Sequence, residues 1–218
     1  MLAQTLLLAA SLLATASAHF SIESPEMRGD SFEAPASQWI YPCAGVNQTA
    51  RTNRTLWPLT GGAVALDLHH PWTYVYLNLG IGTDYPAFPG NMSITTSLLN
   101  VTGNGTFCIP QVKLPAGLVV TEGLNATLQV VTGGASGSAL YNCADITFAA
   151  AATALSSEVC MNSTGVSGAY VTPGGSQAAV VNTTANSTTT KSAAHREGGS
   201  LMGAAVVGVV AVAFSWFL

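Results

Sequence analysis

The stretch Tyr141-Asn142-Cys143-Ala144-Asp145-Ile146-Thr147-Phe148 decides the fold. Read as a strand, it sends alternate side chains to opposite faces. Ala144, Ile146 and Phe148 then fill a core, while Tyr141, Cys143, Asp145 and Thr147 share the other face. Asp145, flanked by Ala144 and Ile146, is partly withdrawn from water and needs a partner: a metal ion, an arginine or a backbone N–H.

Similar segments precede it. Ala63 to His69, Trp72 to Leu79, Met92 to Leu99, Leu118 to Thr121 and Ala126 to Thr132 are strand-like, and Ala139 to Phe148 completes the series. Gly80-Ile81-Gly82, Gly103-Asn104-Gly105 and Gly133-Gly134 punctuate them. Short strands with glycine-rich turns predict an all-β antiparallel sandwich. No segment sustains a helical period. A short helix is expected over Ala149 to Leu155 and a turn near Ser31 to Trp39. No repeat or second domain is evident.

Both ends read as processing signals. Residues 1–18 have the apolar core and the Ala16-Ser17-Ala18 cut site of a secretory signal peptide. Cleavage there makes His19 the N-terminus, with a free amine and an imidazole in one residue. At the other end, Leu201 to Leu218 is apolar to the last residue. A polar spacer and small residues precede it, the pattern of a glycolipid (GPI) anchor signal. Residues 195–218 are then removed, or a longer piece if the cut lies earlier, near 186, with Asn186 or Ser192 as the attachment site. A plain C-terminal membrane helix is the alternative. Between the folded domain, 19–164, and this signal, residues 165–194 are rich in Ser, Thr, Gly and Ala and read as a flexible stalk.

From His19 to Asn186 there are four bases against nine acids. No basic patch exists, which argues against nucleic acid. Cys43, Cys108, Cys143 and Cys160 make an even count without a CxxC spacing, so two disulfides are expected, in any of three pairings. Sequons begin at Asn47, Asn53, Asn91, Asn100, Asn104, Asn125, Asn162, Asn182 and Asn186, a density that fits a glycosylated surface protein. No G-x-S-x-G elbow, phosphate loop or dinucleotide fingerprint appears.

The remaining chemistry is histidine. His69 and His70 are adjacent before Pro71 and, on a strand, point to opposite faces. One of them, His70 by preference and His69 as the alternative, is the better candidate ligand. Combined with the His19 amine and ring and with Asp145, this gives nitrogen donors and one oxygen, a set suited to one Cu(II) per domain. A closed set of this kind disfavours redox catalysis, which needs an open coordination position.

These residues carry a resemblance. His19-Phe20, Pro25, Arg28-Gly29, Tyr41-Pro42-Cys43-Ala44-Gly45, Gly61-Gly62, His69-His70-Pro71 and Tyr141 to Thr147 resemble, in order and spacing, fungal copper-binding proteins similar to lytic polysaccharide monooxygenases (LPMOs). That family includes a cell-surface copper acquisition factor. The resemblance implies an immunoglobulin-like β-sandwich with two disulfides and a histidine brace, here His19, His70 (or His69) and Asp145. It implies copper uptake or homeostasis at the outer face of the plasma membrane or in the cell wall, through a GPI anchor and without polysaccharide cleavage, so that no residue is catalytic. A membrane copper transporter or a cell-wall glycan is the expected further partner. Two other functions compete: a copper-dependent polysaccharide monooxygenase, for which Trp39, Trp57, Trp72, Tyr74 and Tyr76 would supply a binding face, and a metal-free structural or adhesive wall glycoprotein.

Overall fold

The structure, a computed structural model, describes residues 19–48, 53–83, 92–134, 137–171 and 177–180. The signal-peptide residues 1–18, the sequons at Asn91, Asn182 and Asn186, the attachment candidate Ser192 and the C-terminal apolar stretch lie outside them. Ten strands are described: β1 (Phe20–Ser24), β2 (Thr55–Pro58), β3 (Gly62–Leu68), β4 (Trp72–Ile81), β5 (Leu99–Thr102), β6 (Gly105–Val112), β7 (Asn125–Gly133), β8 (Ala139–Ala149), β9 (Ser167–Val171) and β10 (Gln177–Val180). They form a three-stranded sheet, β1-β3-β6, and a seven-stranded sheet, β10-β9-β5-β4-β7-β8-β2.

The all-β expectation holds, and the alternation in β8 is as read. Ala144, Ile146 and Phe148 are each 0% exposed and join one core with Leu66, Leu77 and Phe107 from both sheets. The sheets are antiparallel except at one edge, where β2 runs parallel to β8. No helix is present among the described residues. The expected one over Ala149 to Leu155 is replaced by the end of β8 and a turn, and the Ala150 N–H goes to the Glu122 carboxylate instead of a helical carbonyl. Met92 to Leu99 is mostly irregular, with one bridge between Ser93 and Asn78. Leu118 to Thr121 is not a strand. The sheet also runs past the expected domain end at Thr164. β9 pairs with β5 inside the segment read as stalk, because Gly168 leaves room for the Phe107 ring.

Each sheet has part of its outer face covered by a segment fastened with one disulfide. Over the small sheet, Ala63 and Ala65 are closed off by Leu155 and the Cys108–Cys160 bridge. Over the large sheet, residues 25–48 lie against β8 and are joined to it by Cys43–Cys143. The Arg28 N–H donates to the Cys143 carbonyl at 2.8 Å, and the Tyr141 N–H donates to the Gln38 carbonyl at 2.7 Å. Gln129 Nε2 donates to the Pro42 carbonyl at 2.9 Å. Both disulfides close long loops, which restrict the denatured chain most.

Under this strap lies a buried ion pair. Asp145 is 0% exposed, and the Arg28 side chain is 2% exposed. Arg28 Nε donates to Asp145 Oδ2 at 2.7 Å and Nη2 to Oδ1 at 2.9 Å, a two-pronged contact. The Thr127 hydroxyl donates to Oδ1 at 2.6 Å and Gln48 Nε2 to the same oxygen at 2.5 Å. Burial pushes the Asp145 carboxyl up, but the hydrogen bonds from Arg28, Thr127 and Gln48, together with the Arg28 charge, hold it below its ordinary value.

Two expectations follow. Gly61 has φ +89°, and a Cβ there would stand 2.0 Å from the Val112 carbonyl oxygen, a backbone atom no rotamer can move. Gly61→Ala is expected to cost about 1–3 kcal/mol or more in urea unfolding; an unchanged midpoint contradicts this. For Asp145, a carboxyl depressed by folding stabilises the protein above its unfolded value of about 3.9, and that stability is lost as pH falls toward the folded value. Arg28→Ala removes the two-pronged partner and leaves the buried carboxylate only the longer contact to Arg54, whose Nη1 lies 3.9 Å from Oδ1. It is expected to cost about 3–5 kcal/mol at pH 7 and to move acid unfolding, followed by circular dichroism, to higher pH.

Candidate metal centre

His19, His69 and His70 lie at one end of the sandwich because β1 and β3 are paired. Phe20 stands opposite Leu68, and the pairing continues one residue further, with the His69 N–H donating to the His19 carbonyl at 3.3 Å. The start of β1 is also clamped by Gln38, which is 0% exposed. Its Oε1 accepts from the Phe20 N–H at 3.1 Å, and its Nε2 donates to the Phe20 carbonyl at 2.8 Å and to the Ser31 hydroxyl at 2.8 Å. Both backbone groups next to His19 are thus held by one side chain, much as a strand partner would hold them.

His69 and His70 diverge, as adjacent residues leaving a strand should. His69 Nε2 lies 3.1 Å from Asp67 Oδ2, with both side chains well exposed. Its ring faces Phe32, centroids 6.0 Å apart, and Phe32 in turn faces the His19 ring at 5.7 Å. His70 turns the other way, toward the β7–β8 connection. A Cβ at Gly134 would lie 3.7 Å from His70 Nε2, an ordinary contact distance. That nitrogen is buried and has no hydrogen-bond partner. Burial, then the charges of His19 and His69, hold the His70 ring below its ordinary pKa, so it is neutral at neutral pH and carries a free lone pair.

Asp145 is not brought to this end. Gly133, next to the His70 neighbour Gly134, pairs with Ala139. Asp145 lies six residues along β8 from Ala139, about 20 Å at ~3.4 Å per residue, and three residues from Asn142, which lies beside Phe20. It also projects from the outer face of the large sheet, whereas Asn142, on the inner face, reaches the Phe20 carbonyl at 3.4 Å. The carboxylate expected as a ligand is instead the partner of Arg28. Beside it, a cavity of about 290 Å³ is lined by Arg28, Cys43, Val46 and Gln48 and by no histidine.

Among the described residues, no three His, Cys, Asp or Glu side chains converge on a cation position. A brace asks for less: two imidazoles and the amine of a terminal histidine. The donor chemistry fits such a group, since a neutral, buried, unpartnered imidazole nitrogen is costly to leave unpaired and is what a transition metal binds. Phe32, Gln38 and Gly134 were not picked out from the sequence as site residues. Only the Gly133-Gly134 turn left a visible sign there. The aromatics divide: Trp57 is core at 3% exposure, whereas Trp39, Trp72 and Tyr74 stand at the surface.

Residues 17–165 match the family described as copper acquisition factor BIM1-like. The lytic polysaccharide monooxygenase-like protein ham-7 of Neurospora crassa is 46% identical over 165 residues, covering 68% of this chain and 71% of that protein. The lytic polysaccharide monooxygenase-like protein X325 of Hypocrea jecorina is 42% identical over 162 residues, covering 66% and 69%. The copper acquisition factor BIM1 of Cryptococcus neoformans is 27% identical over 176 residues, covering 73% of each chain. A relative from Emericella nidulans is matched over about half its length, 48%. With the match spanning β1 to β8 and including His19, His69 and His70, the chain belongs to the BIM1-like copper acquisition factor family.

Proposed function

We propose that this protein captures Cu(II) outside the cell and holds it for uptake, without cleaving polysaccharide. The observation that carries the reading is His70 Nε2, buried and unpartnered beside the strand end that presents His19. The family description supports copper as the cargo. After removal of residues 1–18, the amine and ring of His19 and the ring of His70 hold the ion, and copper supplies the Lewis-acid centre that those nitrogens bind. Gln38 fixes the start of β1, and the neutral His70 ring needs no proton removed before it binds. His69 is restrained by Asp67 and takes a supporting place. Asp145 fastens the strap and is left out of the ligand set, because its four hydrogen bonds already satisfy both oxygens.

The location follows from the two terminal signals: secretion, then a GPI anchor on the outer face of the plasma membrane, with a membrane copper transporter as recipient. Nothing in this scheme requires an open coordination position or a bound glycan chain. A second reading, polysaccharide oxidation, draws on the surface aromatics, chiefly Phe32 beside His19 and His69, at 44% exposure, and Trp39, at 49%.

Calorimetric titration of Cu(II) into secreted protein with a verified His19 N-terminus tests the proposal. One tight equivalent is expected, weakened at least 100-fold by His19→Ala and by His70→Ala, and about 10-fold by Gln38→Ala, in line with the loss of a positioning contact. Full affinity in His70→Ala contradicts the ligand assignment. Oxidised oligosaccharides released from cell-wall polysaccharide in the presence of reductant would favour the second reading.

A further inference from the structure

Neither strap covers the part of the large sheet formed by β4 and β5. There Trp72 and Tyr74 are 36% and 37% exposed, and their rings meet edge to face with centroids 5.4 Å apart. The register says what stands beside them. Asn100 is directly opposite Tyr74, and Thr102 is directly opposite Trp72. Leu99 and Val101 are both 0% exposed, so Asn100 and Thr102 point outward on the same face as the two rings. Asn100-Val101-Thr102 is a sequon. Beyond Tyr74 the same row continues through Gly133 and Ala139. These small residues leave a mainly apolar groove of about 360 Å³ bounded by Tyr74, Tyr76, Leu98 and Val131.

We propose that an N-linked glycan on Asn100 is a packed part of this fold, with its first sugar rings lying over Tyr74 and Trp72 and entering the groove. Directly opposed side chains in an antiparallel pair have Cβ atoms about 4.5–5.5 Å apart, and diagonal neighbours about 7–8 Å. A sugar joined to Asn100 Nδ2 therefore meets the Tyr74 ring first and the Trp72 ring next, with no movement of the strands. A pyranose suits this surface. The C–H groups of one ring face stack on an aromatic ring, while the hydroxyls at the rim stay in water.

Attachment is a group transfer in the secretory pathway from a lipid-linked oligosaccharide pyrophosphate. A bond forms between Asn100 Nδ2 and the sugar C1, the C1–oxygen bond to pyrophosphate breaks, the pyrophosphate leaves with the electron pair, and the amide loses one proton. Two other sequons, at Asn125 and Asn162, lack the setting. Asn125 Oδ1 accepts from the Thr147 hydroxyl at 2.6 Å, and the threonine of that sequon, Thr127, is buried on Asp145. Asn162 accepts from the Cys108 N–H and donates to the Val166 carbonyl.

The test is a double-mutant cycle on protein directed into a eukaryotic secretory pathway by the host's own leader. Glycopeptide mass spectrometry reads occupancy at Asn100, and melting temperatures are taken for the wild type, Asn100→Gln, Tyr74→Ser and the double variant. Trp72→Ser provides a second ring variant in the same cycle. The expected result is an occupied Asn100 and a melting point lowered by about 2–4 °C in Asn100→Gln, with the drop abolished when Tyr74 or Trp72 is serine. An unoccupied Asn100, an unchanged melting point, or a drop of equal size with and without the rings overturns the proposal.

Discussion

The buried pair between Arg28 and Asp145 is the constraint on which the rest of the structure depends. A sheet with polar residues on its outer face must either stay wet or be covered by something that satisfies those residues. Here Asp145, Thr127 and Gln129 are covered by a segment that brings Arg28, Gln48 and the Pro42 carbonyl to meet them. Cys43–Cys143 closes the same segment covalently. A buried ion pair of this kind adds little net stability over a well-packed apolar substitute, yet breaking it by removing one partner is costly. Its value is positional, because the strap can sit in only one register.

That register sets the candidate metal centre. The strap that carries Arg28 also carries Ser31, Phe32 and Gln38. Gln38 and Ser31 hold the start of β1, and Phe32 lies between the rings of His19 and His69. The histidine end and the carboxylate are therefore linked mechanically, through one strap, without sharing a ligand. Gly134, just after β7, completes the site from the other side, against His70.

Much of this was legible in the sequence. The alternation in Tyr141 to Phe148 placed the core side chains and the polar face of β8, and the adjacency of His69 and His70 implied that they diverge. The need of Asp145 for a partner was also visible, with an arginine among the possibilities. What local pattern could not supply was which partner, because Arg28 and Asp145 are 117 residues apart and meet only through the strap. The β9 strand was hidden for a related reason. Ser167, Gly168 and Ala169 have weak strand propensity, and their pairing comes from the edge that β5 offers and the gap that Gly168 leaves for Phe107. Phe32, Gln38 and Gly134 matter through position alone.

The central claim is that copper belongs to the histidine end and that Asp145 belongs to Arg28. Anomalous diffraction at the copper edge, from crystals of Cu(II)-loaded protein beginning at His19, tests it most directly. The account predicts one peak within bonding distance of the His19 amine and ring and the His70 ring, with the Arg28–Asp145 contact intact. A peak at Asp145, with Arg28 turned away from it, would contradict it.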